Sequence, residues 1–130
     1  MSQLYQDLFT RADGGLGANW TTTTGLVSPS IVSNEARNSG AAPAGARYTA
    51  TSLPDDQYAE ITVGSVVSTT SGEGVGPAAR MASGSHSSYF AQTNTTQTRL
   101  YKVVSGAYTQ LGSDAAACTS GQTLRVTCNG

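Results

Sequence analysis

What most constrains the fold of this chain is its punctuation. Beyond residue 30, short runs of alternating apolar and polar residues are cut by turn signals roughly every 8–14 residues. A helix needs its apolar residues three and four apart, whereas here the period is two. The clearest run is "QYAEITVGSVV" (57–67), with Ala59, Ile61, Val63 and Val67 on one face and Tyr58, Glu60 and Thr62 on the other. "SIVSNEAR" (30–37) reads as one shorter strand ending in an Asn-rich corner, and "GARYTATSL" (45–53) as another. Strands follow at 75–82 and 87–93 around the turn "SGSHS". Thr98–Val104 and Ala107–Gly112 form a hairpin turning at Ser105–Gly106. The last strand, 121–128, carries Leu124, Val126 and Cys128 on one face. At the start, Leu4, Tyr5 and Leu8 fit a single helical turn, which "GGLG" stops. With no linker and no internal repeat, about eight short strands in meander order predict an all-β, antiparallel, two-sheet sandwich as a single domain over 1–130.

Composition points the same way. Charged residues make up 12% of the 130, and Thr, Ser, Asn and Gln supply the polarity instead. Net charge is −1 and Lys102 is the single Lys, so there is no basic footprint for nucleic acid or an anionic membrane. No apolar run approaches the roughly 20 residues of a membrane-spanning helix. "MSQLYQDLF" lacks a basic segment followed by an apolar one, so export by the general route is not expected unless the chain begins at a processed end.

Each chemistry-bearing group has a structural alternative. "GEGVGP" holds Gly72, Gly74 and Gly76, but Pro77 and a strand follow where a phosphate loop needs a helix, so a flexible β-loop is expected. His86, the only histidine, sits in a Ser/Gly turn that offers no held imidazole for a triad. Glu35, Glu60 and Glu73 lie far apart, and no strand aligns two carboxylates on one face as a glycosidase requires. Asp7 and Asp13 offer oxygen ligands to calcium, or Asp13 caps a turn. Trp20 is either core or a sugar platform. Cys118 and Cys128 match no metal set, and a turn at "TSGQ" would set them too far apart for a disulfide, which favours two small buried side chains. "NWT" and "NTT" are formal glycosylation sequons. No cofactor and no enzymatic activity are expected.

The opening "DLFTRADGGLGANW" (7–20) resembles the N-terminal signature of concanavalin A-like (laminin G-like) jelly-roll domains of bacteriophage virion and bacterial surface proteins. The likeness continues in order through "IVSNEAR", "DDQYAEITV", the set Gly74, Gly76, Arg80, Tyr89 and Phe90, "LYKVVSGAYTQL", and "GQTLRVTCNG". It implies an edge strand at the start and a Gly-rich turn that delivers Trp20 to the sandwich. The glutamate-rich strand of the family's glycosidases is missing, which implies a non-catalytic member. Relatives continue with further strands beyond the point matched by Gly130. Either the sandwich here is smaller than in its relatives, or the strand edges and apolar faces left open are covered by a partner. The resemblance thus implies a lectin-like structural or adhesive component of a phage virion, as capsid decoration or in the tail, assembled in the host cytoplasm. Its partners would be itself or a larger shell. The alternative is a carbohydrate-binding module of a larger secreted or cell-surface protein. In either case Arg80, Tyr89 and Tyr101 are the candidates for contacting a surface glycan, with packing of both tyrosines into the sandwich as the structural alternative.

Overall fold

The computed structural model describes residues 5–38, 42–66 and 73–130. Among them there is no helix, the expected turn at Tyr5–Leu8 included; Leu4, Val67 and Gly72 lie outside the described residues. The chain is all-β and every paired strand is antiparallel. Its contacts gather into two compact units, Met1–Leu53 with Ser83–His86, and Pro54–Ala82 with Ser87–Gly130.

The first unit is built from very short strands: β1 (Gly14–Gly15), β2 (Trp20–Thr22), β3 (Ser30–Val32), β4 (Glu35–Arg37) and β5 (Ala46–Tyr48). β3 lies between β1 and β4, while β2 pairs with β5, setting Trp20 opposite Tyr48. The segment 30–37 is therefore a hairpin and not one strand. Ser33 and Asn34 both take left-handed φ, 53° and 62°, the two-residue geometry that matches the twist of paired strands. The Asp13 carboxylate accepts from the Ser33 amide at 2.8 Å and braces the turn. The strand expected over 45–53 shrinks to three residues, β5.

Apart from one two-residue strand, the second unit has longer strands: β6 (Gln57–Thr62), β7 (Ala78–Ala79), β8 (Ser88–Thr93), β9 (Thr98–Val104), β10 (Ala107–Ala115) and β11 (Thr123–Cys128). One sheet runs β10-β9-β8-β7, and β11 pairs with β6 as a two-stranded ribbon. Ala79, Ala91, Val126 and Cys128 form the buried cluster, with Ala59, Tyr89 and Leu124 packed against it. The ribbon meets β7 and β8. The expected alternation holds: Ala59 and Ile61 are half-buried and Val63 buried.

The strand expected at 75–82 is interrupted, and the physical reason lies in its glycines. Val75 exchanges backbone hydrogen bonds with Thr93, 2.9 and 2.8 Å, ahead of the two residues of β7. A Cβ on Gly74 would stand 2.3 Å from the Thr93 carbonyl oxygen, and one on Gly76 1.6 Å from that of Ala91. Gly74 and Gly76 are thus a close backbone approach to β8 rather than a flexible loop.

Candidate functional site

The opening motif is a hydrogen-bonding hub. The Asp7 carboxylate, only 6% exposed, accepts from Arg11 at 2.7 and 3.0 Å, from the Phe9 amide at 2.8 Å and from Trp20 Nε1 at 2.9 Å. The second guanidinium nitrogen of Arg11 also donates to the Leu16 carbonyl. Rings close round the hub: Tyr5 stacks on Tyr48 at 3.7 Å, and Trp20 meets Tyr5, Phe9 and Tyr48 at about 6 Å. Hydrogen bonding to Arg11 foremost holds the Asp7 carboxyl down at about 2. Asp7 therefore spends its oxygens on the chain's own donors, and Asp13 spends one on a turn. Among the described residues no three His, Cys, Asp or Glu side chains gather as metal ligands.

Arg80 is likewise committed to the chain's own groups. At φ 52° its guanidinium donates to the Asp55 carbonyl at 2.9 Å and the Gly130 carbonyl at 2.6 Å, while its amide donates to Gln57 Oε1 at 3.0 Å. Strand register separates the two candidate tyrosines. Tyr89 stands opposite Lys102, and Tyr101 opposite Phe90, so the two point to opposite faces of one sheet. Tyr89 packs on the buried cluster. Tyr101 meets Tyr108 edge-on at 5.6 Å, on the face that also carries Arg99. Arg99 binds Asp114 at 2.8 and 2.9 Å, and Gln110 donates to Asp114 at 2.7 Å. Tyr89 and Tyr101 thus share no surface of the sheet, and the Arg80 guanidinium is already spent on two backbone carbonyls.

His86 is half-buried, and burial lowers its pKa. Cys118 and Cys128 are free thiols, Cys128 within the buried cluster. Of the two sequons, Asn19 is exposed, whereas Asn94 is buried and its Oδ1 caps the β8–β9 turn by accepting from the Thr96 and Gln97 amides.

The least committed surface lies elsewhere. Pairing of Ala91 with Leu100 and of Leu100 with Leu111 carries the cluster-bearing face of the sheet outward across β9 and β10. Among the described residues, β6 and β11 make no close backbone approach to either of those two strands. Leu100, Val104 and Leu111 are consequently 37%, 53% and 36% exposed. A cleft of about 270 Å³ runs beside β11, lined by Leu100, Ser113 and Ala115 on one side and Leu124, Arg125 and Val126 on the other. The alternation in 98–112 signals this face, but only the exposure of Leu100, Val104 and Leu111 in the structure shows that it is left partly uncovered. Neither a protein-family model, nor a curated protein, nor a solved structure matches this chain.

Proposed function

We propose that this chain is a non-catalytic structural and adhesive module, a concanavalin A-like jelly roll that works by joining a larger assembly such as a phage virion. The observation that carries the reading is the bare face of β9 and β10 beside the cleft at β11. Apolar surface of this kind marks a place where something else packs. The ordered motif likeness along the chain favours the jelly-roll and virion parts of the proposal, with a second copy or a larger shell as partner. The non-catalytic part rests on how the carboxylates are spent: Asp7 on Arg11, Glu60 on Arg125, Asp114 on Arg99 and Glu35 on Arg37. A carboxylate locked to a cation in the resting protein is poorly placed to work as an acid or base.

Sedimentation velocity over a wide concentration range tests the assembly reading. The chain alone should associate weakly, and Leu100→Asn with Leu111→Asn should abolish the association without lowering the melting temperature. A strictly monomeric parent would remove the main support.

A second reading, a carbohydrate-binding module of a secreted or surface protein, is favoured by one feature. Tyr101 and half-exposed Tyr108 share a face with planar Arg99 and Gln110, a combination suited to sugar rings and their hydroxyls. Titration with neutral trisaccharides should then perturb Tyr108, and Tyr108→Ala should lose the effect.

A further inference from the structure

We propose that the cleft beside β11 receives an extended segment of another polypeptide, added as a strand to the open edge of β11 and presenting an apolar–x–acidic–x–apolar pattern to β9. The inference rests on the assembly reading and names the chemistry of its partner.

The edge comes first. β11 pairs with β6 on one side in unbroken register over six residues, Thr123–Cys128. In an antiparallel ladder alternate residues send N–H and C=O to the other side, and among the described residues β11 has no strand there. Such an edge is a template for strand addition. The outer edge of β10 differs. Its register slips between Leu111 and Ala115, Gly112 takes φ 74°, and Asp114 turns onto Arg99. A bulge of this kind blunts an edge. Of the two edges, β11 is the one left ready.

The floor specifies the side chains. A strand beside β11 would lie over β9, across the roughly 10 Å that separates packed sheets. Alternate residues of β9 facing it are Leu100, Lys102 and Val104, flanked across the pair by Leu111, Thr109 and Ala107. The pattern is apolar, cationic, apolar. The charged neighbours Arg99 and Arg125 are already paired, with Asp114 and Glu60, while no ion pair to Lys102 occurs among the described residues. A carboxylate between two apolar side chains is the complement. A second copy packed face to face about a two-fold would bring one Lys102 toward its equivalent, so self-packing through this face is the weaker solution.

The test uses the whole chain, isotope-labelled, and an eight-residue peptide of alternating Val and Thr with one central Glu. The peptide should slow amide exchange along Leu124–Thr127, shift Leu100, Lys102 and Val104, and disperse the weak self-association. Its counterpart with Lys in place of Glu should bind about fivefold more weakly or worse, the scale of one exposed ion pair. Lys102→Glu should reverse that order with the fold intact. Equal affinity for the two peptides, perturbation at β10 instead of β11, or no effect at millimolar peptide would each overturn the proposal. If the peptide fails while the parent still self-associates through Leu100 and Leu111, the partner class alone is wrong. If both fail, the assembly reading falls too.

Discussion

The first unit closes around a carboxylate, whereas the second closes around methyl groups. In the first, strands of two or three residues make ladders too short to hold by themselves, and Asp7 ties four donors from Phe9, Arg11 and Trp20 into one point ringed by aromatics. In the second, strands of six to nine residues set a register, and small side chains such as Ala79 and Ala91 let the ribbon and sheet approach closely. Each unit is therefore vulnerable in its own way. A polar hub fails when one functional group is removed or protonated. A close-packed ladder fails when volume is added.

Adding volume to the second unit should do the most damage. Gly76→Ala forces a Cβ to within 1.6 Å of the Ala91 carbonyl oxygen, a backbone atom that cannot step aside without breaking the β8 pairing. It should cost roughly 3–5 kcal/mol, at the upper end for overpacking. Gly121→Ala, at φ 86° but with nothing within 4 Å, should cost only about 1 kcal/mol. Urea midpoints of the two variants provide the comparison, and near-equal losses would show that close approach is not what holds β7 to β8.

The hub's sensitivity is next in size. Trp20→Ala removes a half-buried ring that touches three others and donates to Asp7, and should cost about 3 kcal/mol. Trp20→Phe keeps most of the packing but strips one donor from a buried carboxylate, and should cost about 1–2 kcal/mol. If Trp20→Ala unfolds like the parent and loses a saccharide response instead, the ring belongs to a binding site.

Acid should separate the units more gently. The folded Asp7 carboxyl, held near 2, releases its proton more readily than in the unfolded chain, near 3.8. Protons therefore favour the unfolded state. The hub's contribution is complete above about pH 4 and drains away as pH falls toward 2. The shift corresponds to about 1–2 kcal/mol once screening at the exposed Arg11 end is allowed for. Trp20 is the only Trp, so its fluorescence reports the first unit directly. Asp7→Asn should flatten the acid limb of the stability curve, and an unchanged limb would show that other carboxylates set it.

Legibility from sequence follows the same division. Alternation and the Ser105–Gly106 turn place β9 to the residue, and β10 and β11 to within three residues at one end, because they report a long ladder. Trp20 was legible as a residue with a place to fill, but its partner Asp7 lies thirteen positions away, and no periodicity links a hydrogen bond across a loop. Tyr89 and Tyr101 looked equivalent because parity within a strand says nothing of parity between strands; register alone sends them to opposite faces. The glycines at 74 and 76 were visible as flexibility, whereas their role is the opposite, because a missing Cβ reads the same whether it frees a backbone or admits a neighbour.

The smallest effect concerns β3 and β4, the hairpin that the sequence disguised as one strand. Three-residue strands contribute little ladder energy, so the turn between them should matter in proportion. Ser33 and Asn34 both sit in the left-handed region, where an L side chain is disfavoured and Asn-Gly is the preferred pair. Ser33→Asn combined with Asn34→Gly keeps the backbone amide that Asp13 binds, since that bond runs to Ser33 N and not to its side chain. Stabilisation of about 0.5 kcal/mol is expected, the balance of relieved strain against the added freedom of an unfolded Gly. Because the gain is local, it should appear as slower amide exchange at Ile31, Val32 and Glu35 before it appears in the global melting temperature. If exchange there is unchanged or faster, the turn is held by Asp13 alone and the first unit depends on its carboxylates even more completely than the hub at Asp7 indicates.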